Sequence, residues 1–205
     1  MNALILVDIQ NDFVPGGRLA VPDGDSIIPL ANELQASFGL VVATQDWHPQ
    51  RHKSFASNHS GKQPFEHIDL HGLDQVLWPD HCVQGTVGAE FHAELSMQRV
   101  EAIFRKGMDT EIDSYSGFYD NGARKATGLA GYLRERKVRK VFVCGLAGDY
   151  CVAFTAKDSI RENFDTFVIA DATRPIDPSG FERAKDEILG LGGQIIGSSE
   201  LYRHL

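Results

Sequence analysis

Ala3-Leu4-Ile5-Leu6-Val7 is an unbroken apolar run closed at once by a charge, Asp8. A short run of this kind reads as a strand buried on both faces, the mark of a parallel sheet. The pattern recurs outward along the chain. Leu40-Val41-Val42-Ala43-Thr44 runs into Gln45-Asp46-Trp47-His48, and residues 100–104 run into Arg105-Lys106-Gly107. Val141-Phe142-Val143-Cys144 runs into Gly145-Leu146-Ala147-Gly148, and Phe167-Val168-Ile169-Ala170 predicts a fifth strand. Gln194-Ile195-Ile196 predicts a short last one. Between them, apolar residues at Ile27, Ile28, Leu30, Ala31, Leu34 and Phe38 have helical spacing, with Ser26 as an N-cap and Pro29 tolerated in the first turn. Residues 129–135 read as the end of a helix, a further helix starts at about Asp149, and another covers 179–191. Strands alternating with helices give βαβ units. The expected fold class is therefore α/β, a three-layer α/β/α arrangement with a mainly parallel central sheet.

The chain has 205 residues, which suits one α/β domain, residues 1–205. Residues 47–99 break the alternation: the stretch is long, rich in His, Pro and Asp, and has only a short helical pattern near 86–95. Insertions of this length in a compact domain are usually functional, and this one is expected to fold over the top of the sheet. The formal net charge is -8, opposite in sign to a nucleic-acid binder. The basic run Arg134 to Lys140 lies between a helix and a strand and reads as a solvated connection. Three cysteines, Cys82, Cys144 and Cys151, do not make a disulfide framework. Reduced thiols fit the cytoplasm. The N-terminus lacks a basic region and a cleavage site, so no signal peptide is expected. No stretch approaches the ~20 apolar residues of a membrane span, so no membrane partner is expected.

In open parallel sheets, ligands bind outside the carboxyl ends of the strands. Four predicted strands end on chemically competent groups: Asp8, Asp46 with His48, Lys106, and the loop leading to Cys151. A carboxylate, an ammonium and a thiol at one sheet edge make a nucleophile site. Cys151 stands at a predicted helix start two residues after Asp149, where the helix end and Lys106 are expected to lower its thiol pKa. Its bland alternative is a small buried hydrophobe. Cys144, inside an apolar strand, is core. Asp46-x-His48 puts two ligand types on one side of an extended segment, a set suited to Zn²⁺, Mn²⁺ or Fe²⁺. By position alone the third ligand is open among His52, His59, His67, His71, His81 and His92, with Cys82 a weaker choice. Gly145-Leu146-Ala147-Gly148 lacks the glycine spacing of a dinucleotide loop.

Six stretches then fall in one order: residues 7–13 (VDIQNDF), Thr44 to Pro49 with Ser54-Phe55-Ala56, Trp78 to Gly85, Arg105-Lys106-Gly107, Tyr115 to Phe118, and Gly145 to Val152. Over essentially its whole length the chain resembles the nicotinamidases, within the isochorismatase-like cysteine hydrolases. The resemblance implies a catalytic triad at Asp8, Lys106 and Cys151, and hydrolysis of nicotinamide, with pyrazinamide, through a Cys thioester. It implies metal ligands at Asp46, His48 and His81 for one divalent ion, zinc first, iron or manganese as alternatives. Ser54 stands where some members place a further ligand. An oxyanion hole maps onto backbone N–H groups of Ala147 and Cys151, and a cis peptide onto Leu146–Ala147. The walls of the substrate site map onto Phe13, Trp78, Tyr115 and Leu146. The implied partner is a small molecule, with a homo-oligomer left open. Rival readings are a sibling hydrolase acting on another amide or carbamoyl group, and a non-catalytic binding module on the same sheet.

Overall fold

Six strands form one sheet in which every neighbouring pair runs parallel. The computed structural model describes residues 1–205, with β1 Asn2–Val7, β2 Leu40–Asp46, β3 His67–Leu70, β4 Leu73–Val76, β5 Val100–Lys106, β6 Lys140–Leu146, β7 Asp165–Arg174 and β8 Gln194–Ile196. The sheet order is β5-β2-β1-β6-β7-β8, and β3 and β4 make a separate antiparallel hairpin. The chain starts in the middle, moves outward to β5, then returns to the other side of β1. The point where the direction reverses, between β1 and β6, opens a crevice at the strand ends.

Near-continuous apolar composition lets the central strands bury both faces. Leu4 and Leu6 face one layer, with Ile28, Ala31 and Leu34 of α1 (Ile28–Leu34). Ala3, Ile5 and Val7 face the other, with Leu129 and Leu133 of α2 (Leu129–Glu135), Ala153 and Ala156 of α3 (Ala153–Arg161), and Ala184 and Ile188 of α4 (Pro178–Gly190). Asp177 caps α4 by accepting from Ser179 and Gly180 N–H groups.

Several strands run past their apolar cores. β2 and β5 extend to Asp46 and Lys106, so these charged residues belong to the strands, not to the loops after them. The expected helical pattern near 86–95 is absent: only a short 3-10 turn forms at Val87–Ala89. The apolar residues there anchor an irregular segment, in which Asn11 N–H donates to Glu90 O and His92 N–H to Ile9 O. The hairpin β3–β4 within 47–99 has alternating, half-exposed side chains that no long apolar run announces. The helix expected from Asp149 starts instead with a π turn over Gly148–Val152. Asp149 caps no helix there. Its carboxylate accepts from Ile176 and Asp177 N–H, tying this turn to the loop before α4.

Candidate active site

Register brings the first charged pair together. A bulge between Val41 and Val42 shifts the β2–β5 pairing by one residue, so Asp46 stands opposite Lys106. Without it Asp46 would face Arg105, and side-chain alternation would send Lys106 to the other face. As built, Lys106 Nζ donates to Asp46 Oδ1 at 2.7 Å, to Ser114 O at 3.0 Å and to Cys151 Sγ at 3.4 Å. It also lies 2.9 Å from Asp8 Oδ2. Asp8 Oδ2 is buried and has no partner besides this ammonium. Asp8 Oδ1 accepts from Thr44 Oγ1 at 2.6 Å. The three groups expected at the strand ends, Asp8, Lys106 and Cys151, thus meet at one place, each nearly or wholly buried.

The electrostatics follow from burial. Burial, helped by the Asp46 charge and opposed by Lys106, raises Asp8 above the usual carboxyl range. Burial works against the charge on Lys106, but the two carboxylates win and hold the ammonium well above its ordinary value. Cys151 departs from the expectation of a lowered thiol. Burial pushes it well up, Lys106 opposes this, and the carboxylates of Asp8 and Asp46 add to it. Two anions beside one cation favour S–H over the thiolate.

A second focus shares Asp46. His48 Nε2 lies 3.2 Å and His81 Nε2 3.5 Å from Asp46 Oδ2. Both imidazoles are oriented from behind: His48 Nδ1–H donates to Gly107 O at 2.9 Å, and His81 Nδ1–H to Pro79 O at 2.8 Å. With the protons on Nδ1, two ring lone pairs and a carboxylate oxygen converge on one point. That arrangement is repulsive unless a cation or a proton sits there, and oriented histidines of this kind are what metal sites use. Burial opposes a proton on His48, yet Asp46 raises its pKa. The donor set N, N, O therefore fits a divalent transition ion.

Of the other histidines, His59 Nε2–H donates to Lys53 O, while His67 and His71 pair with Asp74 and Glu111 at the surface, and His92 is partly exposed. None of these joins the cluster. His52 is close and buried, its ring centroid 4.3 Å from that of His48. Burial, then His48, pulls its pKa down to about 4. Ser54 Oγ lies 2.6 Å from His52 Nδ1, so its hydroxyl is committed there.

A cleft opens on both foci, lined by Phe13, Trp78, Tyr115, Ala147, Tyr150 and Ile176 around Asp46, His48, His81, Asp113 and Cys151. Trp78 Nε1–H donates to the Tyr115 hydroxyl at 3.2 Å. Leu146, expected as a wall, is packed wholly inside a core layer, and Ala147 takes that place. Strand alternation explains this: Leu146 ends β6 pointing inward, toward Gly24. The Leu146–Ala147 peptide is cis, as the resemblance implied. None of the chain's hydrogen bonds uses the Ala147 N–H. Reading by sequence missed Asp113, whose one signal is its place seven residues after Lys106, and Tyr150, which a helix-start pattern treats as surface.

Residues 2–200 match the model of the isochorismatase domain. The chain is 50% identical over 200 residues to the nicotinamidase of Acinetobacter baylyi, covering 97% of this chain and 94% of that one. In structure it is similar to the nicotinamidase/pyrazinamidase of Acinetobacter baumanii, with a TM-score of 0.95 and 50% identity over 98% of this chain and 97% of that one. It is also similar to a pyrazinamidase of Pyrococcus horikoshii in complex with zinc, with a TM-score of 0.79 and 39% identity over 96% and 98% of the two chains.

Proposed function

This chain belongs to the isochorismatase domain family, and we infer that it is an amidohydrolase which converts nicotinamide, and pyrazinamide with it, to the carboxylate and ammonia. One observation carries the mechanism: Asp8 Oδ2 is a buried carboxylate oxygen with only the Lys106 ammonium beside it, in a cluster where an oxygen of Asp8, one of Asp46 and Cys151 Sγ lie within 4.8 Å of one another. That oxygen is the base. Burial raises the Asp8 carboxyl and so strengthens its hold on a proton taken from the thiol.

Attack therefore couples to proton transfer. The Cys151 S–H bond breaks, its proton passes to Asp8 Oδ2, and sulfur bonds the carboxamide carbon. Lys106, already donating to Sγ, stabilises negative charge on sulfur as it develops. The Ala147 N–H, with no acceptor in the chain, is an available donor for the oxyanion, and the Cys151 N–H is the second donor in this reading. One such donor is worth about 3–4 kcal/mol where it has been removed in other hydrolases. Asp8 returns its proton to the departing nitrogen, and ammonia leaves behind a thioester. Asp8, again a carboxylate, takes a proton from water as its oxygen bonds the thioester carbon; the C–S bond then breaks and Asp8 returns the proton to sulfur, restoring the thiol. The charge on the site is unchanged over the cycle.

Phe13, Trp78 and Tyr115 provide apolar and aromatic walls for a flat heteroaromatic ring. Asp46, His48 and His81 would hold a divalent cation, zinc in this proposal, whose chemistry is to take the ring nitrogen as a further ligand and so fix the ring. The test is ammonia release from nicotinamide by the wild type and by Cys151→Ala, with divalent metal in the buffer. Release by the wild type alone is expected. Equal release from both removes Cys151 from the mechanism, and release from neither, with both proteins folded, refutes the substrate.

A further inference from the structure

Beside the cation site lies a cluster that the reaction leaves idle. His52 is fully buried, and its Nδ1 faces two donors: Ser54 N–H at 3.2 Å and the Ser54 hydroxyl at 2.6 Å. The ring proton is then on Nε2, and this buried N–H has no acceptor in the chain. Orphaned buried donors are rare and usually mark a water or an ion.

Asp113 is the complementary half. It is 2% exposed, and it lines the substrate cleft. Its Oδ1 accepts from Ser114 N–H at 2.8 Å, and its Oδ2 from Gln75 Nε2 at 3.0 Å. A carboxylate offers about four acceptor positions, so capacity remains on both oxygens. One polar atom each from His48, His52 and Asp113 lie within 4.8 Å of one another. No hydrogen bond joins the three directly. Polar atoms held apart in this way are commonly bridged by one water.

We propose that His52 and Asp113 hold a water in the shell of the cation bound by Asp46, His48 and His81: His52 Nε2–H donates to it and the Asp113 carboxylate accepts from it. The valences balance. One lone pair of the water faces the cation, the other accepts from His52, and one O–H points to Asp113. Ser54 then acts at one remove, by fixing the His52 tautomer. His52 and Asp113 are positioning residues for the part of the shell that the substrate must share, and the proposal rests on the cation site described above.

The test measures metal binding, not turnover. Chelator-stripped protein is titrated with Co²⁺ against a competing chelator, and the visible bands of the bound ion are recorded. Asp113→Asn and His52→Phe should each weaken Co²⁺ binding by about 10- to 100-fold and shift the bands. His52→Gln keeps an N–H near the Nε2 position and should stay close to wild type. Because both residues act on one water, the double variant should lose little more than the weaker single variant. Wild-type affinity and bands in His52→Phe, or losses that simply multiply in the double variant, overturn the proposal. If Asp113→Asn does not fold, the contrast of His52→Phe with His52→Gln decides alone. A wild-type protein that binds no Co²⁺ would sink the cation site itself, whereas tight binding by every variant sinks this proposal only.

Discussion

Replacing Lys106 with Met removes the one cation that two buried carboxylates share. Lys106 Nζ lies 2.9 Å from Asp8 and 2.7 Å from Asp46, and the side chains are no more than 5% exposed. At an effective dielectric of about 20, each contact carries roughly 6 kcal/mol of Coulomb attraction. Desolvation of the ammonium offsets much of this, and removing one partner of a buried pair costs about 3–5 kcal/mol net. For a chain of this size 1 kcal/mol moves Tm by about 2–4 °C, so the loss is roughly 6–20 °C. The loss depends on pH. Burial already holds Asp8 above its unfolded value, and without Lys106 it rises further. A carboxyl raised in the folded state stabilises the fold below its unfolded pKa, and that contribution fades as pH climbs through the folded value. Lys106, itself raised, contributes fully at any pH below its unfolded value of 10.5. The deficit of Lys106→Met is therefore larger near pH ~8 than near pH ~5, where Asp46, held well below the usual carboxyl value, still loses its cation. Thermal unfolding of chelator-stripped wild type and variant at the two pH values measures it. An equal deficit at both, or a Tm at the higher pH within about 2 °C of wild type, would refute the reasoning.

Gly107 has a φ of +64°, and a Cβ there would lie 2.3 Å from His48 Cε1 and 2.5 Å from His48 Nδ1. Gly107→Ala should turn His48 out of line and lower the metal bound per chain after a chelator challenge; a full complement of metal contradicts the assigned ligand role. Burial and two carboxylates outweigh Lys106 at Cys151, so alkylation of the metal-free, substrate-free protein by iodoacetamide should climb only at pH values above the ordinary thiol value of 9.0. Fast alkylation near neutral pH would show a resting thiolate and take the proton-transfer role from Asp8. Asp8→Asn removes the acceptor of the thiol proton and should abolish ammonia release while leaving Co²⁺ binding near wild type; loss of the metal instead would move Asp8 into the cation site.

The sheet was legible because its strands are apolar enough to announce themselves, and because three of them run into a charge, Asp8, Asp46 or Lys106, while a fourth leads through a glycine-rich loop to Cys151. Asp8, Asp46, Lys106 and Cys151 were found by that contrast. Their mutual arrangement was not. The pairing of Asp46 with Lys106 depends on one extra residue of β5 at the Val41/Val42 bulge, and no local preference signals a bulge at that point. The upward push on the Cys151 thiol is hidden from the sequence for a related reason. A helix start and a lysine are visible in a sequence, but the depth of burial and the second carboxylate are tertiary facts. Asp113 sits in a loop with no periodicity, and its partner Gln75 lies on β4, whose weak alternation hid the hairpin as well.

Asp46 uses its two oxygens on two different neighbours, Oδ1 on Lys106 and Oδ2 on the paired imidazoles. Extraction of the cation proposed for Asp46, His48 and His81 should therefore be felt on the sulfur side as well. With no cation on Oδ2, the whole carboxylate charge is free to compete for Lys106, and Sγ loses part of its only cationic neighbour. A chelator should slow hydrolysis even of a carboxamide whose ring has no nitrogen to offer a metal, such as benzamide. An inhibitor that captures the ion would thereby blunt the nucleophile without touching it.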